Sequence, residues 1–379
     1  MAGGVFPGAS RFLQKGGILM RRIVAVVLTL LLLPLSALAA PEMPYAPETV
    51  LQTAPLSEDV LAAIDVLYPA ILRGEETIGL PDGMLYDDVN AAMDCLTRNY
   101  PELFHLEGTW AVGYYQDAPA FATMVKPTYT MSPGEYEALL AQLLGTAQGA
   151  VDAASGSQVD RAEILHDWLC ARTAYDHSET FEAENTAVGA MLRGVSRCEG
   201  YALALTLLYR LADIPCGVVT GDAGTGEDLQ RHAWNAAVID GSTVLIDATW
   251  DDQEENGCVT HWYYGLTSAQ MAADHRADPQ FTLPTTDAMA VNWHARRDLL
   301  VSDRTELLAA IGRFAVEGEV NIRFTDAALY DDWMARMNDW LDEYNAMSAP
   351  GEAFYGSYGV VWSAEQHCVL LRTAKEDAP

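Results

Sequence analysis

The pair Asp240-Gly241, set between the apolar runs His232 to Ile239 and Thr243 to Thr249, constrains this chain more than any other short segment. Asp-Gly between alternating apolar stretches is a two-residue hairpin turn, and such a turn fixes the register of the strands it joins. Ile239 then lies opposite Ser242, Trp234 opposite Asp247 and His232 opposite Thr249. Side chains alternate between the two faces of a sheet, so His232 and Asp247 become diagonal neighbours on one face, within side-chain reach. A three-residue turn would put them on opposite faces.

Upstream of this hairpin, Ser196-Arg197-Cys198-Glu199-Gly200-Tyr201-Ala202 leads into Leu203, Leu205, Leu207, Leu208 and Leu211. Their spacing predicts a helix that starts at Cys198. Unpaired N–H groups and the positive end of the helix dipole favour a thiolate there, and the thiolate is the nucleophilic form. A strand Gly217 to Thr220 and a Gly-rich loop Gly221 to Glu227 follow before the hairpin. Taken singly, a cysteine is ordinarily an inert core residue, a histidine before a tryptophan is ordinarily structural, and an aspartate near a strand end is ordinarily a cap. Taken together they form the constellation of acyl-transfer chemistry, with Cys198 as nucleophile, His232 as base and Asp247 orienting that base.

The remaining chain divides around this core. Arg21 and Arg22 before the apolar run Ile23 to Leu35, followed by Ala37-Leu38-Ala39, predict a cleavable export signal over 1–39, with translation expected to start at Met20. The run is short and carries Pro34, which disfavours a membrane anchor. Residues 40–56 are rich in proline and small residues and are expected to be a linker. Helices are expected at Ser57 to Leu72 and Tyr86 to Tyr100, and strands at Trp110 to Tyr115 and Phe121 to Tyr129, giving a small α+β N-terminal domain over 57–132. A catalytic domain over 133–281 opens with helices Pro133 to Ala154 and Gln158 to Ala174, the second with Ile164, Leu165, Trp168 and Leu169 inward. A C-terminal α+β domain over 282–379 follows, with helices near Glu306 to Phe314 and Leu329 to Asn345, a strand at Val320 to Phe324 and a strand pair around Gly359 to Leu371.

Composition narrows the function classes. The 53 acidic residues against 22 basic ones, a formal net charge of −31, give a surface that repels nucleic acid and anionic lipid headgroups. The simplest role of that charge is a solubilising coat. Six cysteines lie far apart without the close pairs of a zinc or redox site, and no Gly-rich phosphate loop precedes a helix, so neither metal nor cofactor is expected. If Cys198 stays a free thiol the other five cannot all pair, so the chain is not a disulfide-built scaffold.

Four segments in order, Cys198-Glu199-Gly200-Tyr201-Ala202, Ile214 to Gly221, His232-Ala233-Trp234-Asn235 and Asp247-Ala248-Thr249-Trp250, resemble the transglutaminase-like superfamily. The resemblance runs from about Val159 to Met271 and includes Tyr175-Asp176. Arg73-Gly74-Glu75 through Pro101-Glu102-Leu103-Phe104, with Lys126-Pro127-Thr128-Tyr129, resembles the N-terminal segment of secreted bacterial members. Asn292-Trp293-His294 departs from the Asn-Tyr-Tyr that the resemblance implies after the core. It implies a papain-like α+β core, the triad Cys198, His232 and Asp247, and a thioester formed on Cys198 from an amide carbonyl. Tyr175, Glu199, Trp234 and Trp250 are candidates for the cleft, with rim, dipole-partner and packing roles as the plainer alternatives. The expected substrate is a peptide or protein, with a cell-envelope target left open. Hydrolysis is the leading expectation, crosslinking or amine transfer at glutamine the runner-up, and a non-catalytic extracellular binding module the reading from another class.

Overall fold

The computed structural model describes residues 43–178, 185–226, 228–253, 257–282, 285, 288–349, 352–354 and 356–373. The expected export signal lies outside the described residues. No helix among them is long and apolar enough to cross a membrane.

The chain forms two compact units. One contains Ser57–Leu96 and His105–Pro133. In it α1 (Glu58–Leu72) starts at Ser57, whose side chain accepts from the Val60 amide, and buries Val60, Ala63, Ile64, Leu67 and Ile71. Strand β1 (Ile78–Gly79), helix α2 (Tyr86–Asn99, in this unit up to Leu96) and strands β2 (Leu106–Tyr115) and β3 (Ala118–Tyr129) complete it. The sheet is antiparallel with β3 between β1 and β2.

The other unit contains Pro44–Leu56, Thr97–Phe104 and the chain from Gly134 onward, so the expected boundary at 281/282 falls within it. From Pro44 the segment expected to be a linker packs here: Tyr45 is buried, Val50 bridges to Cys216, and the Thr53 hydroxyl donates to the Val218 carbonyl at 2.7 Å. Helices α3 (Pro133–Ala153) and α4 (Gln158–Cys170) lead in, followed by β4 (Ala174–Tyr175), β5 (Val195–Ser196) and α5 (Cys198–Leu211). Next come β6 (Cys216–Thr225), β7 (Asp228–Ile239), β8 (Ser242–Ile246), α6 (Ala248–Asp251), β9 (Asp252–Gln253) and β10 (Cys258–Val259). Strand β11 (Tyr264–Leu266), α7 (Ser268–Met271) and β12 (His275–Ala277) close the core. Strands β11-β8-β7-β6-β12 form one antiparallel sheet in that order, and α5 packs against β6 and β7. Finally β13 (Leu300–Val301), α8 (Arg304–Glu317), β14 (Glu319–Phe324), α9 (Ala327–Met347), β15 (Tyr358–Ser363) and β16 (Cys368–Thr373) build a four-stranded sheet in the order β13-β14-β16-β15. One face of it, with Val320, Ile322 and Leu371, packs with Phe314 of α8 and Trp333 of α9. The other, through Cys368 and Leu370, shares a core with Trp234, Leu245 and Trp262.

Three local expectations are corrected. The stretch read as a loop from Gly221 continues β6 to Thr225. A Cβ on Gly221 would come within 2.2 Å of the Arg276 carbonyl, so glycine here admits the neighbouring strand β12 rather than a bend. The strand expected to reach Thr249 stops at Ile246, because Asp247 caps α6. Ile164, expected inward, is 41% exposed, and His166 takes an inward position on α4 instead.

The apolar helix α5 buries one cation, Arg210, fully. Its guanidinium donates to the Cys216 carbonyl at 2.9 Å, the Asn99 carbonyl at 2.7 Å, Asn99 Oδ1 at 2.9 Å and the Tyr45 hydroxyl at 2.9 Å. Tyr45 in turn donates to Glu102 at 2.8 Å, so the positive charge is matched inside the fold. Removing one partner strands the other charge in a low-dielectric interior. Arg210→Met should lower the unfolding free energy by about 3–5 kcal/mol in urea melts; a loss under about 1 kcal/mol would show that the network contributes little.

Candidate active site

Asp240 and Gly241 both have positive φ, 46° and 77°, as a two-residue turn between twisted strands requires. The pairing runs Ile239 to Ser242 through Asn235 to Ile246, the expected register, and Asp247 follows directly. His232 Nε2 lies 2.8 Å from Asp247 Oδ2, with both residues buried. Asp247 Oδ1 meanwhile accepts from the amides of Thr249 at 3.0 Å and Trp250 at 3.3 Å. One oxygen of this aspartate therefore caps a helix while the other faces the imidazole. Because Nε2 donates to a carboxylate, Nδ1 is the ring nitrogen left for a thiol, and Cys198 lies near enough to the ring to favour its charged form. Burial opposes a charge on His232, but the Asp247 charge and hydrogen bond, aided by Cys198, outweigh it and push the imidazolium up to about 10.

Cys198 is the first residue of α5 and is partly exposed. No side chain of Arg197 caps that helix end; instead Asn185 Oδ1 accepts from the Gly200 amide at 3.0 Å, and Asn185 Nδ2 donates to Glu199 at 3.0 Å. Burial raises the Glu199 carboxyl above its ordinary range. Glycine at 200 is dictated by space, since a Cβ there would fall 1.9 Å from Ser196 Oγ and 2.8 Å from the Thr186 carbonyl. Strand β4 pairs in parallel with β5 and sets Tyr175 opposite Ser196, two residues before the cysteine. Burial raises the Tyr175 phenol, and the neighbouring charge of Cys198 raises it further. Asp176 holds Arg197 through Nε at 3.4 Å.

Trp234 is buried, its ring stacked near His232 at 6.1 Å between centroids, which is the packing role. Trp250 is half-exposed, with its ring 5.5 Å from His232 and 5.2 Å from Tyr263. With Tyr175 and Tyr263 it lines a cleft of about 600 Å³ that runs out beneath the β15–β16 turn.

Sequence reasoning missed His275. Its Nε2 lies 3.1 Å from Asp247 Oδ2, the oxygen that His232 uses, and its Nδ1 lies 2.6 Å from Asp274 Oδ1. The other Asp274 oxygen accepts from the Tyr263 hydroxyl at 2.8 Å and from Gln366 at 3.0 Å. Both ring nitrogens of His275 thus face carboxylate oxygens at hydrogen-bonding distance, an arrangement that favours the charged ring beside Asp247. Burial opposes that charge, yet the hydrogen bonds to Asp247 and Asp274 prevail and raise the His275 imidazolium. His275 was not legible because β12 is three residues long and pairs with β6 some fifty positions away, with no alternation to reveal it.

Two groups place metal-ligand atoms close together: His232, Asp247 and His275, and His166, Asp167 and His261. In the first, both imidazoles already use Asp247 Oδ2 as acceptor. In the second, Asp167 Oδ1 lies 3.0 Å from His166 Nδ1 and 2.7 Å from His261 Nε2. In each group the carboxylate oxygen is thus already engaged by two imidazoles.

Residues 145–248 match the family model of the transglutaminase-like superfamily, a span that takes in Cys198, His232 and Asp247 and ends before His275. The chain is 28% identical over 107 residues to the kyphoscoliosis peptidases of Homo sapiens and Mus musculus, covering 25% of this chain and 16% of each relative. It spans about a sixth of those relatives' length. A solved TGase structure aligns with a TM-score of 0.28 at 13% identity, over 34% of this chain and 41% of that one. The fold is mixed α+β with a transglutaminase-like core domain.

The raised His232 imidazolium stabilises the fold at and below neutral pH, and that contribution is lost as pH rises through about 10. In NMR titration of ring nitrogens, Asp247→Asn should bring the His232 transition well down from about 10, since burial is then opposed only by Cys198 and a neutral amide; a transition still near 10 would remove the carboxylate as its cause. His275→Gln keeps an N–H toward Asp247 but deletes the charge, and should raise the His232 transition by about one unit. An unchanged or lower value would show His275 to be neutral.

Proposed function

We propose that this chain, built around a transglutaminase-like core domain, is an exported cysteine-dependent enzyme that hydrolyses peptide or protein amide bonds through a thioester on Cys198. The observation that carries the reading is one line of contacts. A partly exposed sulfur at a helix head neighbours an imidazole that a buried carboxylate holds at 2.8 Å through Nε2.

The chemistry follows from that line. The Cys198 thiolate attacks the amide carbon, and the carbonyl oxygen becomes an oxyanion that the Cys198 backbone N–H, unpaired at the start of α5, is placed to meet. As the C–N bond breaks, the His232 imidazolium gives its Nδ1 proton to the departing amine. The neutral ring then takes a proton from water, which attacks the thioester and releases a carboxylic acid and the Cys198 thiolate, restoring the thiolate and imidazolium that began the cycle. Asp247 stays ionised throughout, since its neighbours hold its carboxyl well below the usual range despite burial. The acidic surface and the Arg21-Arg22 leader pattern support work outside the cytoplasm, where water is the abundant acceptor. A secreted bacterial enzyme of the superfamily fits these features. Amine transfer shares the first half of this sequence and differs only in the nucleophile that resolves the thioester.

The test is a peptide library incubated with wild type and Cys198→Ala and read by mass spectrometry. Backbone scission by wild type alone is the expected outcome. Loss of ammonia's mass or amine incorporation without scission would replace hydrolysis by transfer, and identical product spectra from both proteins would leave the fold without this activity.

A further inference from the structure

The cleft beside Tyr175 continues past Trp250 and Tyr263 to Trp262 and to Trp362, which is 55% exposed on β15. Among the described residues, its ionisable lining outside the tyrosines consists of His177 and two carboxylates, Asp252 and Glu365, with no lysine or arginine. The two acids come from distant parts of the unit's chain. Asp252 directly follows α6, the helix that Asp247 caps, and its Oδ2 accepts from the Tyr201 hydroxyl at 2.6 Å. Glu365 stands exposed in the β15–β16 turn of the C-terminal sheet.

Five aromatic rings with two carboxylates among them make a selective surface. Ring faces attract cations and pack the methylene stem of a long side chain, while carboxylates bind its charged head. The same lining disfavours an anion, which would meet two like charges and no donor cation. At longer range, 53 acidic residues against 22 basic ones draw positively charged peptides toward the molecule.

We propose that this cleft holds a lysine- or arginine-like side chain of the peptide whose amide meets Cys198, and that the β15–β16 turn of the C-terminal sheet supplies part of that selectivity. The inference rests on the proposed peptide chemistry at Cys198 and adds a substrate class to it. It also gives the C-terminal sheet a role in the site, which the family match over 145–248 does not reach.

The experiment measures binding of four peptides to the full chain carrying Cys198→Ala by calorimetry. The peptides are identical except for one position occupied by lysine, arginine, norleucine or glutamate. Lysine and arginine peptides should bind about tenfold more tightly than norleucine, with glutamate weakest, and the gap should narrow as salt is raised. Glu365→Gln should reduce the lysine-over-norleucine ratio several-fold, and Trp362→Ala, which removes stem packing as well as a ring face, should weaken both peptides, lysine more than norleucine. Equal affinity for lysine and norleucine, or a ratio that neither variant alters, overturns the inference. The two proposals fail separately. Cys198-dependent scission without cationic preference ends this one and keeps the enzyme, whereas selective lysine binding without Cys198-dependent chemistry ends the enzyme and keeps the cationic cleft.

Discussion

The carboxylate of Asp247 is the point at which folding and chemistry meet. Its Oδ1 ties down the first amides of α6, and its Oδ2 lies within hydrogen-bonding distance of both His232 and His275. A side chain that caps a helix has its rotamer fixed by the backbone, so the second oxygen arrives at the imidazole already aimed. The alignment of His232 needs no separate device. It follows from where the strand stops and the helix begins, which in turn follows from the Asp240-Gly241 turn that sets the register.

This dependence explains what the sequence made legible. A two-residue turn is local chemistry, and every pairing up to Asn235 opposite Ile246 follows from it by counting. The leucines after Cys198 likewise announce α5 and its first residue. What stayed hidden depends on partners distant in the chain. Gly221 to Thr225 look like a loop because glycine is a poor strand former, but the glycine is there to let β12 approach closely. His275 reaches Asp247 only after that edge strand has formed, so no window around it could disclose the contact. The expected export signal, by contrast, is read from a compositional pattern and lies outside the described residues.

Residue types alone would not have picked out the site, as a second cluster in the same unit demonstrates. Cys170 Sγ lies 3.9 Å from His166 Nε2, which in turn is 3.3 Å from Asp251 Oδ2. Cysteine, histidine and aspartate are thus assembled twice, with Asp251 at one end of α6 and Asp247 at the other. The two assemblies differ in the surroundings of the sulfur. Cys170 ends α4, where the carbonyl end of the helix dipole disfavours an anion, and it is buried with its thiol donating to the Ala248 carbonyl at 3.4 Å. Burial pushes that thiol up to about 11. Cys198 begins its helix and is partly exposed beside Tyr175. Helix polarity and access, set by which end of which helix carries the cysteine, separate a packing cluster from the one proposed to be reactive.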